Sequence, residues 1–363
     1  MHCVLPRSPA TVSDFIVAGA FPRPSVLISG LQHGRPSLSQ LHKLLALTCT
    51  GLAAEPLSWL QQLIYSQRLQ QQQLPDDPVV VIGHWRSGTT YLHQLMGSDP
   101  CAATASNSLT VAPQVALLLK PLLQPLLHRT MTPIRPIDAV PWGADDPQED
   151  EVGLSRLTMD SHMAGIAFPR DYLHHLKRTV LRTTPAYERA LVMFCRLTWL
   201  HAGFGKHHLL IKNPAHSARV PLLLLRLFPR CRFILLKRRP IDAVRSLVLV
   251  KQRLASLVGL QDPPDQITQV EETVAAHRLL MEAFEASRQL IPAGQLTEVA
   301  FDDLRDAPVA TVERIYTDLA IDSWAQAKAP IARRAAQSSR YRPLPVTLEP
   351  AAEQRLITLL GHG

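Results

Sequence analysis

Along the 363-residue chain the apolar positions change period several times, and each change marks an element. Residues 1–35, rich in proline and turn formers, carry little periodic signal. From Leu38 to Tyr65 apolar residues recur at three- and four-residue spacing, the signature of helix with one buried face. Pro56 has no N–H to give and is expected to divide that run into two helices. The glutamines Gln70–Gln73 close the second helix on a solvated face, and Pro75-Asp76-Asp77-Pro78 stops the chain before the first strand. Val79-Val80-Val81-Ile82 is a continuous β-branched run bounded by Pro78 and Gly83, the pattern of a strand buried on both faces of a parallel sheet. Tyr91 to Met96 returns to helical spacing and ends at Gly97.

The same alternation recurs downstream. Leu209-Leu210-Ile211 and Arg232-Phe233-Ile234-Leu235-Leu236 read as strands, and the Leu-rich stretch from Ser217 to Phe228 predicts a crossover helix between them. Val270, Val274, Met281 and Phe284 predict a helix, Leu296–Phe301 a strand, and Pro308–Ala320 a further helix. There is no internal repeat. These elements predict an α/β fold: a three-layer parallel β-sheet, with a helical N-terminal extension over residues 1–75 and the α/β domain over 76–363.

Composition narrows the partners. Apolar residues are 46% and charged ones 19%, enough for a sizeable core and too apolar for disorder. Lys and Arg total 38 against 30 Asp and Glu, a net +8 that favours an anionic ligand. The arginines are dispersed, with no basic stripe interleaved with aromatics, so no nucleic-acid partner is expected. Five scattered cysteines (Cys3, Cys49, Cys101, Cys195, Cys231) without a C-x-x-C pair predict buried, reduced thiols. No apolar run approaches the roughly 20 residues of a membrane span, and the N-terminus lacks a signal-peptide pattern. A cytoplasmic protein with no transmembrane segment is the expectation; oligomeric state is left open.

Candidate chemistry begins after the first strand. Gly83-His84-Trp85-Arg86-Ser87-Gly88-Thr89-Thr90 nearly fits the phosphate-loop pattern G-x-x-x-x-G-K-[ST]. A helix starting near Gly88 turns unsatisfied N–H groups and a positive dipole end toward the loop, where an oxyanion can sit. Thr89 occupies the place of the usual lysine, and the cation is instead Arg86, whose fork suits a bidentate grip on one tetrahedral anion. A second basic strand-to-helix turn, Lys237-Arg238-Arg239-Pro240-Ile241-Asp242-Ala243-Val244-Arg245-Ser246, offers a cation and a helix-face hydroxyl to another phosphate.

The pair of motifs resembles the sulfotransferases that use 3′-phosphoadenosine 5′-phosphosulfate (PAPS). In that superfamily an R-S-G-T-T loop binds the 5′-phosphosulfate and an R-x-P-x-x-x-x-x-S pattern binds the 3′-phosphate. Arg238, Pro240 and Ser246 match the second pattern residue by residue. Further stretches are similar to the bacterial-type branch, which is related to the tyrosylprotein sulfotransferases: Arg135-Pro136-Ile137-Asp138, Asp146-Pro147-Gln148-Glu149-Asp150-Glu151, Lys212-Asn213-Pro214-Ala215-His216 and Val299-Ala300-Phe301-Asp302-Asp303-Leu304. The resemblance runs in order over roughly residues 55–350; it implies a P-loop-like nucleotide-binding core and makes 76–363 a sulfotransferase-like P-loop α/β domain.

The resemblance implies transfer of a sulfuryl group from PAPS to a hydroxyl or amine, releasing adenosine 3′,5′-bisphosphate, with no metal required. Arg86, Ser87, Gly88, Thr89 and Thr90 would hold the phosphosulfate; Arg238 and Ser246 would hold the 3′-phosphate. Lys212, aligned with the lysine of a K-D-P segment in the tyrosylprotein enzymes, and Arg86 would stabilise the leaving oxygen. The general base is open, because the Glu that follows the loop in those relatives is missing from Pro100–Leu109. Glu149 or Glu151 ranks first, His84 second and His93 third. The acceptor is a small molecule, lipid, glycan or peptide. Leu-rich 115–127 would either line an apolar acceptor pocket or pack in the core, and Arg333–Arg342 would either fold over the 3′-phosphate or stay solvated. A nucleotide-binding relative that has lost catalysis and an atypical P-loop kinase or NTPase are the alternatives.

Overall fold

The structure, a computed structural model, describes residues 12–135, 137–138, 140–338 and 346–361. Three helices come first: α1 (Val12–Ala18), α2 (Pro24–His33) and α3 (Leu41–Gln71). Two of them fall where periodicity carried no signal. Pro56 does not divide α3, contrary to expectation. It sits on the exposed side of the helix, so the carbonyl it leaves without a donor is open to water, while Leu47, Ala54 and Leu69 pack inward on both sides of it.

β1 (Val79–Gly83) then leads into α4 (Thr89–Met96), followed by the two-residue β2 (Ala102–Ala103). α5 (Asn107–Thr110) and α6 (Ala116–Thr130) precede a run of helices that cover one side of the sheet's end: α7 (Asp150–Leu157), α8 (Met163–Ala167), α9 (Tyr172–Thr179) and α10 (Pro185–Ala202). β3 (His208–Lys212) and β4 (Arg232–Lys237) follow. Their crossover is not the single helix expected. It breaks into a 3-10 turn at Pro214–Ala218, the short α11 (Val220–Leu222), and a π-type turn over Leu223–Leu227 that closes with Phe228 N–H donating to Leu223 O at 2.7 Å. The chain finishes with α12 (Pro240–Val258), α13 (Gln266–Arg288), β5 (Leu296–Ala300), α14 (Phe301–Asp306), α15 (Pro308–Asp318), α16 (Trp324–Ser338) and α17 (Pro350–Leu360).

All pairings are parallel, in the order β2-β3-β1-β4-β5, with Val81 opposite Lys212 and Gly83 opposite Leu236. Alternation along the strands explains the three layers. Val80, Ile82, Ile211, Phe233 and Leu235 face one way, onto Leu191 and Phe194 of α10. Val79, Val81, Leu210, Ile234 and Leu236 face the other, onto α4, α15 and α16. Cys101, Cys195 and Cys231 are buried free thiols, but Cys49 is exposed on α3 and Cys3 lies outside the described residues. Among the described residues no helix is long and apolar enough to cross a membrane.

Because β1 is flanked by β3 and β4, the turns after these three strands open on one crevice. Parallel sheets place their ligands at such carboxyl ends.

Candidate active site

The loop after β1 is shaped by two glycines and one strained arginine. Gly83 has φ +131°, and a Cβ there would lie 2.4 Å from Leu236 O. Gly88 caps α4 at φ +94°, where a Cβ would lie 2.4 Å from the Phe301 ring. Arg86 itself has φ +70°, a left-handed backbone that costs a side-chain-bearing residue of order 1 kcal/mol and is typical of functional turns. Ser217 braces the loop's start, accepting from Gly83 N–H at 2.9 Å and donating to its carbonyl at 3.1 Å.

The two basic motifs, over 150 residues apart, interlock. Arg86 Nε donates to Ser246 Oγ at 3.0 Å, and Arg238 Nη1 donates to the Arg86 carbonyl at 2.9 Å. Arg238 also lies over the Phe301 ring, 4.7 Å from its centre, so one aromatic both closes on Gly88 and seats the second cation. Asp138 accepts from Arg86 at 2.7 Å and from Arg135 at 2.8 Å. Burial works to raise its pKa, but the two guanidinium charges outweigh that and hold the carboxyl well below the usual range.

Lys212 ends β3 with a side chain only 5% exposed, ion-paired to Glu149. Burial lowers the Lys212 pKa and the Glu149 charge opposes that fall. The other Glu149 oxygen accepts from Trp85 Nε1 at 3.3 Å. The next two carboxylates interlock with the same strand end. Asp150 accepts from the Lys212 backbone N–H, and burial together with the Glu149 charge drives its pKa well above the carboxylate range. Glu151 accepts from Asn213 Nδ2 at 2.5 Å, from His162 N–H at 2.6 Å and from Arg219 Nη1 at 3.5 Å. Burial acts to raise the Glu151 pKa, but Arg219 and these donors prevail and lower it.

The four candidate bases are therefore placed very differently. Glu149 lines the central cavity beside Lys212. Glu151 also reaches its wall, but its oxygens are taken by three donors. His84 is buried against His277 with Nδ1 donating to Trp85 O at 2.7 Å, and His93 is buried against Thr104 Oγ1 at 2.6 Å. Burial pushes both imidazoles well below their ordinary range, and neither lines the cavity.

That cavity, about 980 Å³, has a polar end and an apolar end. Arg86, Thr89, Thr90, Lys212, Arg238 and Ser246 line the former. From Ser246 the cavity follows α12 past Val250 and Leu254 to Leu257, eleven residues or about 16 Å further on, where Val17 and Ile166 join the wall. Residues 116–130 do not line it; Leu122 and Leu126 of α6 are exposed instead. Of the basic C-terminal stretch, Arg334 pairs with Asp146 at 3.0 Å, while Arg340 and Arg342 lie outside the described residues.

Sequence reasoning missed Trp85 as the partner of Glu149, Ser217 as the loop's brace, and Phe301 as a platform. Only Phe301 left a signal, as the aromatic of the Val299–Leu304 stretch that carries part of the family resemblance.

Comparison with known proteins shows the family and the fold. A sequence model described as the sulfotransferase family matches residues 78–326. The omega-hydroxy-beta-dihydromenaquinone-9 sulfotransferase Stf3 of Mycobacterium bovis is 26% identical over 300 residues, spanning 80% of this chain and 74% of that protein; the Mycobacterium tuberculosis Stf3 matches equally. In fold the chain is similar to the sulfotransferase STF9 of Mycobacterium avium (TM-score 0.64, 18% identity, 84% of this chain and 80% of that one). It is likewise similar to STF1 of Mycobacterium tuberculosis (TM-score 0.63, 18% identity, 98% and 94%).

Proposed function

This chain belongs to the sulfotransferase family and is a sulfotransferase, and from that premise we propose that it uses PAPS to sulfate a hydroxyl carried on a long apolar acceptor. The family generally draws on that donor. The observation that carries the reading is a single cavity lined by cationic groups, by an apolar stretch and by the Lys212–Glu149 ion pair.

The cationic end fits a nucleotide with two separated phosphates. The loop from Gly83 to Thr90, with the α4 N-terminus, supplies donors to the phosphosulfate, and Gly88, with no Cβ, lets the loop close against the Phe301 ring. Arg238 and Ser246 supply a cation and a hydroxyl to the 3′-phosphate. Their ties to Arg86 hold both grips in fixed register.

Transfer is an in-line displacement at sulfur. Glu149 accepts the acceptor's hydroxyl proton as the acceptor oxygen bonds to sulfur. The bond from sulfur to the bridging oxygen breaks, and its electron pair stays on that oxygen. Lys212 and Arg86 neutralise the charge developing there. The Lys212–Glu149 pair thus sets leaving-group stabiliser and base side by side. Glu149 takes over the role left vacant by the missing post-loop Glu, which removes the motive for a catalytically dead relative.

At the other end, Val250, Leu254, Leu257 and Ile166 offer a largely apolar channel, with Arg253 and Asp14 as its charged lining. The relative Stf3 is named for an omega-hydroxylated menaquinone, and a terminal hydroxyl on an apolar chain is the chemistry this channel suits. Incubation with PAPS and matched alcohols of short and long alkyl chain, read by mass spectrometry of the sulfate ester, tests it. Sulfation that improves with chain length supports the reading; preference for a short polar alcohol overturns it.

A further inference from the structure

We propose that the outer face of α2 and α3 is a docking surface for an anionic lipid bilayer, on which the protein lies without crossing it. This inference stands on the exposed surface, independently of the acceptor reading.

α3 is 31 residues, about 46 Å long, and its inner side packs on the body through Leu47, Ala54 and Leu69. Its outer side is apolar from Leu41 to Ile64, broken by His42 and Gln62, and turns polar only in its last two turns, at Gln67, Arg68, Gln70 and Gln71. Leu45, Leu52, Trp59 and Leu63 are 64%, 57%, 68% and 80% exposed, and Leu41, Leu60 and Ile64 widen the face. α2 adds exposed Ile28 and Leu31, and Leu38 between the helices is 86% exposed. A continuous apolar surface on this scale marks an interaction site.

The spacing argues against a second helix as occupant. Leu38, Leu45, Leu52 and Trp59 stand seven residues apart, but the partner row of a coiled-coil seam, 41, 48, 55 and 62, reads Leu, Thr, Glu, Gln. Apolar residues instead spread around a broad arc, with an exposed tryptophan, as on helices lying in a membrane interface.

Charge selects the lipid. From residue 24 to 71 Glu55 is the only acid, and it pairs with Arg23 at 3.2 Å. At the Leu38 end, Asp262 accepts from Ser39 Oγ at 2.9 Å and from Gln40 Nε2 at 2.7 Å. Against these stand exposed Arg35, His42 and Arg68. The surface is thus apolar with a basic margin, complementary to phosphatidylglycerol-type headgroups. The placement also suits access: Phe15 of α1 packs both with Leu47 of α3 and with the cavity-lining Ile166 and Leu257.

Co-sedimentation with vesicles of phosphatidylcholine and phosphatidylglycerol in equal parts, beside pure phosphatidylcholine, tests the proposal. The full chain is expected to bind the anionic vesicles, more weakly as salt rises. The triple variant Leu45→Ser, Trp59→Ser, Leu63→Ser should bind at least roughly tenfold more weakly while keeping its melting temperature, because all three side chains are exposed. Absence of vesicle binding, or binding that the triple variant retains, would overturn it. So would a solution dimer that the triple variant splits, which would assign the face to a second copy. Nucleotide titration of the same samples separates these outcomes from any failure of the PAPS reading.

Discussion

The ammonium group of Lys212 and the carboxylate of Glu149 are ion-paired in the wall of the central cavity. Neither position is arbitrary. Lys212 is the last residue of β3, fixed opposite Val81, and Glu149 immediately precedes α7. Asp150 and Glu151 behind it lock α7 to the same strand end.

If Glu149 takes the acceptor's proton, Glu149→Gln keeps the shape and loses the basicity. Turnover should fall by about 10²–10⁴-fold with nucleotide affinity near wild type. Steady-state rates paired with a nucleotide titration check this; an unchanged rate would place the base elsewhere.

Lys212→Met leaves Glu149 without its cation. Turnover should fall by about 10²–10³-fold, and stability by up to about 3 kcal/mol. In Lys212→Met/Glu149→Gln neither charge is left uncompensated, so chemical denaturation should recover most of the stability while activity stays lost. A double variant no more stable than the singles would deny their coupling.

Gly88→Ala should abolish nucleotide binding. The added methyl meets the Phe301 ring, and the φ of +94° strains any side-chain-bearing residue by roughly 1–3 kcal/mol. Trimming the ring with Phe301→Leu relieves only the clash, so rescue should be partial. Full rescue would show that the backbone conformation is unimportant.

Acid should destabilise the fold early. Burial lowers His162 to about 4, His208 to about 4 and His216 to about 3, against near 6.5 when unfolded. Between pH 6.5 and about 4 the unfolded chain binds protons that the native state refuses, so stability is lost as pH falls through that window. Each ring accounts for on the order of 1–3 kcal/mol. Thermal melts at pH 7.5 and 5.0 should differ markedly; equal melting temperatures would contradict the buried neutral imidazoles.

Strands β1, β3 and β4 were legible because they are continuous β-branched or Leu-rich runs closed by Gly83, Asn213 and Arg238, whereas the two-residue β2 left no signal. Both basic strand-to-helix turns were legible because they sit at the ends of those runs. What sequence alone could not rank was the acidic cluster. Glu149 and Glu151 differ by two positions, and only the packing of α7 against Asn213 and Arg219 turns one inward and leaves the other at the cavity. His84 and His93 flank the loop in sequence, yet both turn into the core. Pro56 misled because the inward packing of Leu47, Ala54 and Leu69 on both sides of it outweighs the cost of one proline on the exposed side of the helix. The apolar channel was invisible, since α1, α8 and α12 contribute to it from three distant segments.

Titration of adenosine 3′,5′-bisphosphate and of ADP against the wild type and Arg238→Ala is the most direct measurement of the two-phosphate site. The wild type should prefer the 3′-phosphorylated nucleotide, and Arg238→Ala should erase that preference, losing about 1.5–3 kcal/mol for the bisphosphate and little for ADP. Equal affinity of the wild type for both nucleotides, or equal losses in the variant, would contradict the assignment of Arg238 and Ser246 to the 3′-phosphate and with it the use of PAPS.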